Sequence, residues 1–299
     1  MAKVAIICNP ISGGGKSKIL VKQLEAELSY HNYNITTFYT KAKGDAYQIS
    51  SNITGNLAAV IPVGGDGTVN EVINGVCLRG IPVAPCPAGL SNVLCLELGI
   101  KPEPKNIVKA IESKNIVEVD ISEASTGKLK KVKRFFTSMA GAGFDSEIVH
   151  SIANKRSSHL GFAGYAFPTL KAMMLYKYHP ISVKVDGEIV TNRARYVIIG
   201  NVKYYGGPFY IATKACYNDN LLDVVVFEGR SSPEIIRFYL GVIRGNHLKH
   251  SNVRYFRGKE IDISAKQHIP VHIDGEAAGH LPVSFKIMDK DVSIVVPLR

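Results

Sequence analysis

The sequence has no C-x-x-C pair, no internal repeat, no low-complexity linker and no long uninterrupted apolar run. Its five cysteines, Cys8, Cys77, Cys86, Cys95 and Cys216, are odd in number and lie mostly in apolar stretches. That pattern reads as buried free thiols in a reducing compartment rather than a metal site or a disulfide framework. The start, "MAKVAIICNP", has too short an apolar run for a signal-peptide core and reads as a first strand. The best candidate for a membrane span, "HLGFAGYAFPTLKAMMLY" at 159–176, is interrupted by Pro168 and Lys171. The expectation is a cytoplasmic protein that can touch a membrane without crossing it. Acidic residues are the other scarcity: 25 Asp and Glu against 36 Lys and Arg leave a net charge of +11. Such an excess suits nucleotides, phospholipid surfaces or nucleic acid without choosing among them. No aromatic-studded basic motif supports nucleic acid in particular.

What is present is an ordinary globular composition, 46% hydrophobic with a mean hydropathy of +0.06, over 299 residues, a length that suits two domains. Up to about residue 120, strand-like runs alternate with helical patterns. "KVAIICN" precedes a helix from Lys16 with Ile19, Leu20, Leu24 and Leu28 at three- and four-residue spacing. "NITTFYT" precedes a helix near Ala46–Ile53, "AAVIPVGG" one beginning near Thr68, and "KNIVKAIESK" is a further helix. This order predicts an α/β nucleotide-binding domain over 1–122 with a parallel sheet covered on both faces. Thereafter short alternating strands such as "ISVKVDGEIV" and "LLDVVVFEG" predict an antiparallel, β-sandwich-like domain over 123–288. Only 155–178 and about 232–247 look helical there. Residues 289–299 are expected to return to the first domain, with the active site in a cleft between the two.

Two glycine-rich stretches follow strands, "NPISGGGKS" (9–17) and "GGDGTVNE" (64–71). The first fails as a Walker A loop because its opening glycine falls at Pro10, and as a dinucleotide fingerprint because Lys18 stands where a third glycine belongs. The second gives Gly65 and Gly67 but then Asn70. Each nevertheless ends a strand and opens a helix, so backbone N–H groups and the positive helix end face whatever binds. Glycine turns after strands are common in such folds, but two of them with Lys16 and Asp66 favour phosphate. Asp66 would repel a phosphate unless a cation sits between them, which suggests Mg²⁺ or a base aimed at an attacking hydroxyl. Thr68 and Asn70 are placed to hydrogen-bond phosphate oxygens.

The ordered set "NPxSG", "GGDGTVNEV" and "DGE" (274–276) resembles the diacylglycerol kinase catalytic family, in its bacterial lipid kinase branch related to sphingosine and ceramide kinases. "PAGLSNVLCLELGI" (87–100), "MAGAGFDSEIV" (139–149) and "YYGGPFYIATKACYNDNLLDVVV" (204–226) extend the similarity over almost the whole chain. The resemblance implies ATP and Mg²⁺, with Asn9, Pro10, Ser12, Gly13 and Thr40 near the nucleotide. Gly64, Gly65, Gly67, Thr68, Asn70 and Glu71 would cradle its phosphates, and Asp66 would organise Mg²⁺ or the attacking hydroxyl. Glu276 would be the general base with Asp274 beside it. A structural Mg²⁺ would be held by Asp219 and backbone carbonyls near Cys216 and Leu221. Partners implied are a lipid alcohol and an anionic membrane surface, with a homodimer left open.

Residue by residue, the "DGE" at 274–276 also reads as a plain hairpin, and "VDGEIV" (185–190) holds the same three letters. The family's Thr in P-x-G-T-x-N is Leu90 here, and its D-G-x-L-D glycine is Asn220, a residue that tolerates positive φ. The basic run "GKLKKVKRFF" (127–136) suits anionic headgroups or a solvated hairpin. The 159–176 stretch suits acyl chains or a core helix. Three functions follow: a kinase of diacylglycerol-like lipids, a soluble-substrate kinase of the NAD kinase-like class, or a nucleotide-binding protein with weakened catalysis.

Overall fold

Strand β1 (Lys3–Cys8) buries every residue after Lys3, which requires a sheet covered on both faces. A computed structural model describes residues 1–126, 132–144, 146–147 and 178–298, residues 132 and 133 by their backbone alone. The apolar stretch 159–176, the helix expected over 155–178 and most of the basic run at 127–131 lie outside the described residues.

The chain divides into two units. The first comprises Met1–Ile121, Gly206–Pro208 and Met288–Arg299, the second Ser122–Tyr205 and Phe209–Ile287. In the first, β1 pairs in parallel with β2 (Asn34–Tyr39) on one side and β3 (Leu57–Gly64) on the other. A short β4 (Cys86–Pro87) extends the order to β2-β1-β3-β4. Because β1 lies between the strands that follow it in sequence, the order reverses beside it. Ligands of open α/β sheets bind outside the carboxyl ends of strands at such a point.

The helices are α1 (Lys16–Tyr30), α2 (Asp45–Asn52), α3 (Asp66–Val76), α4 (Val93–Glu97) and α5 (Pro104–Glu112). In α1 the inward stripe is Val21, Leu24 and Leu28. Ile19, expected on it, is 61% exposed, because it sits almost opposite Val21 on the turn. Truncating Leu24 to alanine would cost about 2–5 kcal/mol. Helix α3 begins two residues before the expected Thr68, at Asp66. The chain end rejoins this unit: the Val83 N–H donates to Ser293 O at 2.9 Å, and Asn115 Nδ2 donates to Val296 O at 2.9 Å.

The second unit is built from hairpins. Its strands include the parts of β5 (Ile116–Thr126) and of the last strand that lie beyond Ile121 and before Met288, with β6 (Val132–Phe136), β7 (Met139–Ala142), β8 (Ile181–Val185), β9 (Glu188–Ala194) and β10 (Tyr196–Gly200). There follow β11 (Tyr204–Tyr205), β12 (Phe209–Tyr210), β13 (Leu222–Phe227), β14 (Val253–Gly258) and β15 (Glu260–Ser264). The last are β16 (Pro270–Ile273), β17 (Glu276–His280) and β18 (Val283–Val295). Two six-stranded antiparallel sheets result, ordered β14-β13-β10-β7-β16-β17 and β6-β5-β18-β15-β8-β9, while β11 and β12 pair as a separate two-stranded one. Alternate residues of both, among them Val224, Val226, Ile199, Ile261 and Phe285, meet in one core. That is the sandwich the alternation predicts. Helix α6 (Ser232–Ile243) begins with a capping box of Ser231 and Glu234. It stops short of the expected 247, since Gly245 turns left-handed at φ +68°.

Candidate active site

Three loops of the first unit approach one another beyond β1, β3 and β4. Gly13, Gly14 and Gly15 have φ of +59°, +65° and +93°, a run that residues with a Cβ rarely adopt. A Cβ on Gly13 would lie 2.3 Å from Ala88 O, while nothing stands within 4 Å of one on Gly14 or Gly15. A Cβ on Gly89 would lie 2.5 Å from Gly65 Cα. The first loop is pinned at its base: the Asn9 N–H donates to Val63 O at 3.0 Å, and Asn9 Oδ1 accepts the Ile11 N–H at 3.3 Å. Half-buried Pro10 and Ser12 complete it. Side-chain bulk is thus excluded where the loops meet, and the space over Gly14 and Gly15 is open at the start of α1.

At β3's end, Val69 is the first residue of α3 whose N–H reaches back, to Gly65 O at 3.1 Å. The preceding N–H groups face the helix start without an intrahelical acceptor. Thr68 and Asn70 are 8% and 3% exposed. The Thr68 hydroxyl packs beneath Gly64, and Asn74 Nδ2 donates to the Asn70 Oδ1 at 3.2 Å. Their side chains therefore point inward, correcting the expectation that they reach phosphate oxygens. Backbone N–H groups are offered there, and the Ser12 hydroxyl lies 3.9 Å from where a Gly65 Cβ would stand. Glu71 departs further: its carboxylate accepts the Gly44 N–H at 2.8 Å and the Ala46 N–H at 3.1 Å. It fastens the start of α2 instead of facing a nucleotide. Thr40 follows β2, its N–H donating to Cys8 O at 2.9 Å.

Asp66 Oδ1 accepts the Val93 N–H at 2.5 Å, so this carboxylate ties α3 to α4. Asn92, at φ +47°, closes the same loop: its Oδ1 accepts the Gly89 N–H at 3.0 Å and its Nδ2 donates to Gly89 O at 2.9 Å. Ala88, Gly89 and Asn92 carry no chemistry of their own in the sequence, and only the fold marks them as site residues. Leu90 is 70% exposed and brings no hydroxyl. A carboxylate among backbone donors matches the hard oxygen ligation of Mg²⁺ and the shape of a phosphate cradle.

The second unit holds the other carboxylates. Asp274 and Gly275, at φ +46° and +74°, turn β16 into β17. Asp274 is buried and accepts the N–H groups of Met139 at 2.9 Å, Ser138 at 3.2 Å and Thr137 at 3.4 Å. It is a clamp on the turn before β7. Burial pushes its carboxyl up, against the pull of the Met139 N–H, Arg134 and the N–H groups of Thr137 and Ser138. Glu276 Oε2 pairs with Arg134 Nη2 at 2.8 Å, both side chains less than a quarter exposed. In the sequence Arg134 is one cation of the basic run.

The expected structural Mg²⁺ site does not fit its residues as they stand. Asp219 Oδ1 accepts the Leu221 N–H at 3.2 Å and Oδ2 pairs with Arg257. Arg257 also reaches Asp223 through Nε at 3.1 Å. A guanidinium already supplies the positive charge there, and Cys216 Sγ donates to Asn218 Oδ1 at 3.2 Å. Among the described residues no three His, Cys, Asp or Glu side chains gather as a metal site.

An α/β unit whose glycine loops meet beyond its strand ends, carried in one chain with an antiparallel β-sandwich, is the class of fold this chain adopts. More particularly, the chain belongs to the diacylglycerol kinase catalytic-domain family. Residues 3–124 match the family model described as the diacylglycerol kinase catalytic domain. Residues 138–296 match the YegS C-terminal NAD kinase beta sandwich-like domain. Among curated proteins it is similar to the diacylglycerol kinase of Bacillus subtilis (strain 168), 24% identical over 99% of this chain and 97% of that one. The diacylglycerol kinase of Staphylococcus carnosus (strain TM300) is 23% identical over 99% and 95%. Its fold is similar to the crystal structure of a diacylglycerol kinase from Bacillus anthracis str. Sterne, with a TM-score of 0.76, 24% identity and coverage of 98% and 96%. No helix among the described residues is long and apolar enough to cross a membrane.

Proposed function

We propose that this kinase transfers the γ-phosphoryl group of ATP, with Mg²⁺, to the hydroxyl of a diacylglycerol-like lipid. The observation that carries the phosphoryl half is the left-handed run Gly13–Gly15 opening onto α1, beside the Gly65–Gly89 contact. The acceptor is supported by similarity over nearly the full chain to proteins named diacylglycerol kinase. Mg²⁺, when bound, would screen the phosphate charge. The N–H groups at the start of α3 hold the phosphates, and Asp66 sets the negative charge that a cation must answer. Glu276 accepts the proton of the acceptor hydroxyl. The acceptor oxygen bonds to the γ-phosphorus as the bond to the departing diphosphate oxygen breaks and ADP leaves. Arg134 orients the Glu276 carboxylate, and Asp274 holds the turn beneath it. A peripheral position on an anionic membrane suits such an acceptor.

The test is transfer of label from γ-labelled ATP into a panel of micellar lipid alcohols, with Glu276→Ala beside the wild type. A labelled lipid seen only with the wild type is expected. Label in a soluble acceptor alone would favour the second reading, which the NAD kinase-like description of residues 138–296 supports. Nucleotide binding with no transfer would point to Leu90.

A further inference from the structure

Helix α6 carries an apolar stripe on the side away from its own core. Ile235, Phe238, Gly241 and Val242 face inward. Ile236, Leu240 and Ile243 fall at i, i+4 and i+7 on the opposite side, which is one narrow face of a helix. Leu240 is 43% exposed and Ile243 65%. Arg237 and Arg244, both exposed, run along one flank of that stripe. Neither side chain makes an ion pair or hydrogen bond among the described residues. The only acidic residue of the helix, Glu234, is consumed at its start by Ser231 and Asn252. Exposed branched aliphatics beside unpaired arginines, with no acidic group on the face, are the composition of a helix lying in a membrane interface.

We propose that the outer face of α6 docks this protein on anionic phospholipid surfaces, Leu240 and Ile243 entering the headgroup boundary while Arg237 and Arg244 meet lipid phosphates. The choice of occupant follows from charge: the chain is net +11, and a second copy of the same face would set arginine against arginine. This inference rests on the lipid-acceptor reading for its purpose, but not for its measurement.

The chain contains no tryptophan, so Leu240→Trp introduces a sole indole. On phosphatidylglycerol vesicles its emission is expected to shift to the blue, and on phosphatidylcholine vesicles not to shift. Adding Arg237→Glu and Arg244→Glu is expected to weaken vesicle binding by roughly fivefold per lost cation and more for each reversal. The same double variant should phosphorylate vesicle-presented diacylglycerol more slowly while treating a short-chain, monomeric diacylglycerol as the wild type does. No blue shift on phosphatidylglycerol vesicles overturns the proposal, whether or not the protein sediments with them. A dimer abolished by Leu240→Glu would overturn it in favour of a second copy. If neither acceptor is phosphorylated by the wild type, the proposed function fails, and the indole shift still decides the docking face.

Discussion

The chain writes Asp-Gly-Glu twice, at 186–188 and 274–276, and folds both copies the same way. Each Asp-Gly pair has two positive φ values, +48° and +86° in the first, +46° and +74° in the second. Each closes an antiparallel hairpin, with Val185 opposite Glu188 and Ile273 opposite Glu276, as a two-residue turn of this type requires. Even the aspartates act alike. Asp186 Oδ1 accepts the N–H groups of Lys259 and Glu260 at 2.8 and 2.9 Å, and Asp274 accepts those of Thr137, Ser138 and Met139. The difference is environment. Asp186 and Glu188 are exposed, whereas Asp274 is buried and Glu276 is held by Arg134. Local code makes the turn; the neighbours decide whether its carboxylates can do chemistry.

The strongest way to break this comparison is to make the same change in both glutamates. Glu276→Gln is expected to lower kcat for lipid phosphorylation by about 10³-fold, within the range for loss of a general base. Glu188→Gln should leave kcat and KM unchanged. Equal losses, or none at either, would dissolve the distinction. Next in size is stability. Asp274→Ala strands three backbone donors away from water and should cost about 3 kcal/mol in equilibrium urea unfolding. Asp186→Ala, whose donors can turn to solvent, should cost a small fraction of that.

Much of this architecture is legible in the sequence because its cause is local. The run Leu57–Gly64 ends on glycine, and Asp-Gly between alternating residues makes a hairpin wherever it stands. What is not legible depends on partners far along the chain. Glu71 meets Gly44 and Ala46 because α2 and α3 pack together, and no spacing within 64–71 announces it. Thr68 and Asn70 fall on the buried face of α3 once the helix starts at Asp66 rather than at Thr68. The closeness of Gly13 to Ala88 and of Gly65 to Gly89 joins loops that the sequence separates by many residues. Arg134 looked like one more cation in a basic run, and only the fold sets it on Glu276.

The smallest effect sharpens the comparison most, because it asks whether burial or hydrogen bonding governs Asp274. Its environment raises the carboxyl above its ordinary 3.8, burial outweighing the opposing N–H groups and Arg134. A carboxyl raised on folding binds its proton more readily in the folded state. Its contribution to stability is then fully present below about 3.8 and is lost as pH rises through the folded value. Asp274→Asn removes that titration. The wild type should therefore lose ground relative to Asp274→Asn as pH is raised from 4 to 7. Urea midpoints of both proteins at pH 4, 5.5 and 7 measure it, with the wild type and Asp186→Asn as the reference pair. A gap that moves the other way would mean that the three backbone N–H groups outweigh burial. Asp274 would then be an ionised clamp, and burial would cease to govern its turn.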